Sequence, residues 1–208
     1  MRLVVSGDSF TYGQGLGDPS RESYPARIAE HFGAELINFA RPGAGNIWIA
    51  NSIVDHVHRD GDIYLIAWSH WSRLDLMTSK GVLEHICYGS RVRRELHDLF
   101  FKEFYNEAYL YKKYLNTVLL LQSYLRDKDY LMIDSFELHD VVDVNEELIS
   151  RVDKQRYFGF RTTENLVAWT GKDHRLTCGH FNKEGCEVVA NKLYRYLLNS
   201  IIERKHSS

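Results

Sequence analysis

Ser9 follows a short apolar run, Arg2 to Ser6, within the tripeptide Gly7-Asp8-Ser9. A serine hydroxyl is a weak nucleophile until a base takes its proton. A turn at a strand end can present such a hydroxyl at the open edge of a sheet, where backbone N–H groups stabilise an oxyanion. The same tripeptide also suits a plain capping turn, with Asp8 or Ser9 accepting from the first N–H groups of a helix. A second group, Trp68-Ser69-His70-Trp71-Ser72-Arg73, sets two tryptophans and an arginine behind another apolar run. It suits a sugar platform or a carboxylate clamp, or else packing tryptophans beside a surface arginine. Cys178, His180 and Cys186 lie close in the chain, but their spacing fits no paired-ligand pattern. Small buried thiols are expected there, and no metal.

These residues need a scaffold, and the hydrophobic pattern supplies one. Arg2 to Ser6, Glu35 to Ala40, Asp62 to Trp68 and Tyr130 to Ile133 read as strands. The third is apolar at nearly every position, the habit of a parallel strand buried on both faces. Tyr24 to Phe32 reads as a helix, with Pro25 near its start and Gly33 past its end. Ile47 to His58 is predicted helical up to the Asp60-Gly61 turn. Asn182 to Ile202 is a final amphipathic helix, with Asn182 as N-cap and Glu184 in the first turn. A helical elaboration is predicted over about 91–128, its Tyr and Phe stripe serving as packing surface, and an irregular insertion over about 140–172. Alternating strands and helices predict one three-layer α/β/α, flavodoxin-like domain over residues 1–208, with about five mainly parallel strands. In such sheets ligands bind beyond the carboxyl ends of the strands, where Ser9 and the Trp68–Arg73 segment fall.

The composition excludes other classes. The chain has 208 residues, 44% of them hydrophobic, enough for a sizeable core. A net charge of −2 gives no electrostatic reason for a nucleic acid or an anionic membrane as partner. No apolar run approaches the ~18–20 residues of a membrane span. Gly13, Gly15 and Gly17 lack the spacing of a dinucleotide-binding loop. There is no room before Gly7 for the hydrophobic region of a signal peptide, so a cytoplasmic location is expected; a virion protein released by lysis would look the same.

Gly7 to Gly15, Gly-Asp-Ser-Phe-Thr-Tyr-Gly-Gln-Gly, resembles the first block of the GDSL/SGNH hydrolase superfamily. Ile37 to Asn46 resembles its second block, with Gly43 matching the glycine that donates an oxyanion N–H, and Gly179 to Gly185 its last, around His180. The resemblance runs in order from Met1 to about Leu198. It implies a serine hydrolase with Ser9 as nucleophile and His180 as base, the N–H groups of Ser9 and Gly43 as oxyanion donors, and no cofactor. The expected substrate is a small-molecule or glycan ester, in particular an O-acyl (acetyl) group on a carbohydrate. Asp8, Trp68, His70 and Arg73 are expected to contact it. Of the ten histidines, His31, His56, His58, His85, His97 and His139 are expected to be surface or structural residues.

Two positions depart from the family pattern. Ser69 stands where the third block has an asparagine that donates to the oxyanion, so the donor is Ser69, or Asn46 or Arg73 from nearby loops. Thr177 stands where the triad acid precedes the histidine; Thr177, a backbone carbonyl or Asp173 is then left to orient His180. A similar Trp-Ser substitution in viral and environmental members implies a phage or bacterial glycan-modifying role. The departures also fit a catalytically impaired SGNH-fold protein that binds glycans or serves assembly.

Overall fold

The protein was analysed as a computed structural model that describes residues 1–80, 83–86, 94–137 and 146–207. Cys87 and His139 lie outside the described residues. A parallel sheet is built from β1 (Arg2–Ser6), β2 (Glu35–Asn38), β3 (Asp62–Trp68), β6 (Asp129–Asp134) and β7 (Tyr157–Phe158), in the order β2-β1-β3-β6-β7. This is the α/β architecture that the sequence predicts. The chain leaves β1 toward one edge and returns through β3 toward the other. The carboxyl ends of β1 and β3 therefore flank the crevice where such sheets bind ligands.

Every residue of β1 and β3 is buried, because both faces of the sheet are covered. Alternation divides the side chains between two layers. Leu3, Val5, Ile63, Leu65, Ala67, Leu131 and Ile133 face α3 (Tyr24–Phe32) and α8 (Lys183–Ser207). Val4, Tyr64, Ile66, Trp68 and Met132 face α4 (Asn46–Val54) and α6 (Glu107–Tyr124). Asn182 caps α8, its Oδ1 accepting from the Gly185 N–H at 2.8 Å. At the opposite end of the strands, Arg2 donates to both oxygens of Asp62 at 2.7 and 2.6 Å, with His56 and His58 beside the pair. His56 bonds both Arg2 and Asp62 and so joins the ends of β1 and β3, while His58 bonds the Tyr64 hydroxyl at 2.9 Å. Among the described residues no helix is long and apolar enough to cross a membrane.

The helical elaboration consists of α5 (Arg94–Leu99), which runs into a π-helical turn (Phe100–Phe104) before α6 starts behind its Asn106 cap. Its aromatic stripe divides, with Phe100, Tyr111 and Tyr114 buried and Phe104 and Tyr109 exposed. A hairpin of β4 (Leu74–Met77) and β5 (Leu83–Ile86) follows β3 where no strands are predicted. The 140–172 stretch contains α7 (Glu146–Ser150) and the two residues of β7 that complete the sheet, too few to show a periodicity.

Asp134 ends β6 fully buried, with the hydroxyls of Tyr114 and Tyr157 donating to Oδ1 at 2.8 and 2.5 Å. Burial pushes its carboxyl up to about 7, and the two hydroxyl donors pull the other way. The folded state therefore binds this proton more tightly than the unfolded chain does. Stability from this group is full below the ordinary aspartate range and falls as pH rises from about 4 through about 7. Thermal unfolding at pH 5 and pH 8 should show a larger loss of midpoint for the wild type than for Asp134→Asn. Equal losses would place the titration elsewhere.

Candidate active site

Asp8 is the N-cap of α1 (Ser9–Tyr12) and accepts the Phe10 N–H at 3.0 Å. Its carboxylate is fully buried beneath the ends of three strands. Ser69, just past β3, donates its hydroxyl to Oδ2 at 3.2 Å. Ser135, just past β6, donates to Oδ1 at 3.4 Å. Arg73 brings Nη1 to Oδ2 at 3.3 Å, its guanidinium 5.1 Å from the Phe136 ring centroid. Burial raises the Asp8 pKa, against the pull of Arg73, the Phe10 N–H and the Ser69 hydroxyl. Asp8 is thus wholly enclosed by protein, which removes it from the expected substrate contacts.

Ser9 is the first residue of α1 and 5% exposed. Its hydroxyl has no hydrogen-bond partner among the described residues. Its N–H lies at the helix start, where no intrahelical acceptor exists. The loop carrying Gly43 is tied alongside, with the Phe39 N–H donating to Val5 O at 2.8 Å and the Arg41 N–H to Gly7 O at 3.1 Å. Gly43 has φ +79°, a turn conformation that L side chains rarely adopt. Its N–H has no partner among the described residues. The Arg41–Gly7 bond thus ties the Gly43 loop to the turn that leads into Ser9.

Two residues outside the expected site hold that loop. The start of α4 has Gly45 at its cap position and no side chain of its own to cap it. Asp75, from β4, supplies the carboxylate instead, accepting the Gly45 N–H at 2.8 Å and the Trp48 N–H at 2.7 Å. His85, from β5, hydrogen-bonds Asp75 through Nδ1 at 2.6 Å. A Cβ at Gly45 would stand 2.8 Å from the Asp75 carboxylate and would displace it from its capping position. The one signal in the sequence was a helix start that lacked a capping side chain.

Asn46 and Ser69 are both tied into the scaffold. The Asn46 amide donates to Ser69 O at 3.0 Å and accepts the Ser69 N–H at 2.9 Å. This reciprocal pair clamps the end of β3 to the start of α4. The fully buried Ser69 hydroxyl is taken up by Asp8. Trp68, expected to contact substrate, is fully buried in the core with its ring 6.0 Å from Tyr114. The strand alternation that buries Tyr64 and Ile66 carries Trp68 to the same face. Trp71 is buried too, 4.6 Å from the partly exposed His70. His70 hydrogen-bonds the Ser72 hydroxyl through Nδ1 at 2.7 Å. Burial, aided by Arg73, pushes its pKa down to about 4, so it is neutral near pH 7.

His180 follows Gly179 in a loop closed by the Leu176 N–H donating to His180 O at 2.7 Å. Its ring lies 4.9 Å from Phe10, the residue after Ser9. Nδ1 is buried and has no partner among the described residues. None of the acceptors expected there reaches it. Asp173 sits exposed in a short 3-10 turn and meets Asn182 only through its backbone carbonyl, at 3.1 Å. Thr177 is exposed as well. Packing on Phe10, rather than a hydrogen bond, fixes this imidazole. Burial lowers the His180 pKa; Asp8 opposes the shift and Arg73 adds to it.

Comparison with known proteins gives a consistent picture of the fold. No family model and no curated protein matches the sequence. Among solved structures, the esterase EstA from Pseudoalteromonas sp. aligns with a TM-score of 0.54 at 10% identity, over 96% of this chain and 98% of that one. A protein assigned to the lipolytic G-D-S-L family from Desulfitobacterium hafniense aligns with a TM-score of 0.51 at 12% identity, over 94% and 98%. An acetyl xylan esterase from Butyrivibrio proteoclasticus aligns with a TM-score of 0.56 at 13% identity, over 96% of this chain and 64% of that one. The chain has the GDSL/SGNH-hydrolase fold.

The clamp at Gly45 predicts a coupled loss. Asp75→Ala should lower stability by about 1–2 kcal/mol, as for a deleted helix cap, with Asp75→Asn recovering part of it. Urea unfolding measures both, and an Ala variant as stable as the wild type would contradict the capping role.

Proposed function

We propose that the protein is a serine esterase that removes an O-acyl group, acetyl in the first instance, from a carbohydrate. The observation that carries this reading is the Ser9 hydroxyl, which, like the N–H groups of Ser9 and Gly43, has no hydrogen-bond partner among the described residues. With Nδ1 buried, Nε2 is the ring nitrogen of His180 left to serve as base. Ser9 Oγ attacks the acyl carbon and Nε2 takes its proton. The carbonyl oxygen becomes an oxyanion held by the two N–H groups. The C–O bond to the alcohol then breaks, and the alcohol leaves with the proton from His180. Water, deprotonated by His180, attacks the acyl-enzyme and returns Ser9 with release of the acid. A dyad of this kind lacks the carboxylate that supports the imidazolium, yet substantial catalysis survives loss of that member in other serine hydrolases.

The carbohydrate part of the reading is supported by the structural neighbours, which include an acetyl xylan esterase and a carbohydrate esterase family 2 enzyme. A second reading follows from the orphaned Nδ1 of His180, namely a glycan-binding protein that keeps the fold with little turnover. Turnover of p-nitrophenyl acetate separates the two. The wild type should turn over at a rate that Ser9→Ala and His180→Ala both reduce to background; equal rates in all three would refute the esterase. The lowered His180 pKa sets the pH dependence. The base is active when deprotonated, so kcat/KM should rise through a midpoint below the ordinary histidine value of ~6.5 and then level off. A midpoint above 7 would contradict the burial of this ring.

A further inference from the structure

We infer that Arg73 is the side-chain oxyanion donor of this site, in place of an asparagine. The inference rests on the esterase reading and concerns the donor that reading leaves unassigned. Three side chains are candidates for that donor: Ser69, Asn46 and Arg73. The Ser69 hydroxyl is fully buried and donates to Asp8. The buried Asn46 amide is anchored to the Ser69 backbone through its oxygen and one of its two N–H groups. Arg73 alone of the three brings a full positive charge.

A guanidinium has five N–H donors in a rigid plane. One edge of Arg73 is held by Asp8 through Nη1 at 3.3 Å. Its Nε and Nη2 have no hydrogen-bond partner among the described residues. The side chain is 13% exposed and leans on Phe136, whose ring meets Phe10 edge-on at 5.5 Å. Phe10 follows Ser9 directly and packs on His180. The charge of Arg73 is felt at His180 as well as at Asp8. The fixed cation is therefore linked to the nucleophile and the base through Asp8, Phe136 and Phe10. Negative charge developing on the carbonyl oxygen gains a full positive charge there, which an asparagine amide does not provide. Asp8 fixes the arginine before substrate arrives, so little reorganisation is needed during the reaction.

A charge-balancing role for Arg73 beside buried Asp8 makes a different prediction, and a double variant separates the two. Steady-state turnover of p-nitrophenyl acetate is to be measured for the wild type, Ser9→Ala, Arg73→Met, Asp8→Asn and Asp8→Asn/Arg73→Met, with thermal unfolding in parallel. The asparagine keeps an oxygen for the Phe10 N–H, so the double variant has neither a lone buried charge nor a lost cap. Arg73→Met should lower kcat by ~100–1000-fold with KM little changed, the effect of losing one oxyanion donor. The double variant should stay at least ~100-fold below Asp8→Asn, even where its melting temperature recovers. A double variant within a few-fold of Asp8→Asn would overturn the inference and leave Arg73 as a counter-charge only. Ser9→Ala separates the two levels of failure. If Ser9→Ala is inactive while Arg73→Met turns over like the wild type, only the donor assignment fails. If Ser9→Ala is as fast as the wild type, or the wild type does not exceed background, the esterase reading fails and the donor assignment with it.

Discussion

A carboxylate with no access to water needs a donor for its lone pairs, and Asp8 finds its donors at the ends of three strands. The Phe10 N–H comes from the turn after β1, the Ser69 hydroxyl from β3 and the Ser135 hydroxyl from β6, with Arg73 closing the shell. Burial of this charge is costly unless all of them are in place. The sheet register and the position of Ser9 are thereby made conditions of each other. A shift of β3 or β6 against β1 would strand a charge in the interior. Ser9 is thus positioned by a polar group beneath it, while the hydrophobic layers supply the platform.

The Gly43 loop is positioned by cross-loop hydrogen bonds. Gly43 lies on a loop that begins in register with β1, through Phe39 and Arg41, and ends at a helix start capped from the β4–β5 hairpin by Asp75. Asn46 then clamps that helix start to Ser69, one residue past β3. The two loops that would hold the oxyanion are joined to each other and to the Asp8 network through Ser69. His180 is the exception. It is held by its ring against Phe10 and by its own backbone turn, with no acceptor at Nδ1.

Much of this was legible in the sequence because it is local. β1 and β3 have continuous apolar centres, Leu3–Val5 and Ile63–Trp68, and α3 carries its own start and stop signals, so their bounds coincide with expectation. Gly7-Asp8-Ser9 and Gly43 could be singled out for the same reason, each being a short motif after a strand. What escaped is nonlocal. The capping of α4 by Asp75 joins positions 30 and 27 residues apart, and only the missing local cap hints at it. The role of Asp8 depends on Ser135, 127 residues away. Trp68 was misplaced because two tryptophans at a strand end look like a binding platform, whereas alternation within β3 already assigned its side chain to the core. β7 has two residues and owes its conformation to its partner β6 rather than to its own pattern.

The central claim is that Ser9 is an activated nucleophile. The most direct measurement is the reaction of the folded protein with a fluorophosphonate, followed by intact-mass analysis and peptide mapping. One phosphonyl adduct per chain, carried by Ser9 and absent from Ser9→Ala, is the predicted result. A folded protein left unmodified at Ser9 under conditions that label a known serine esterase would contradict the account.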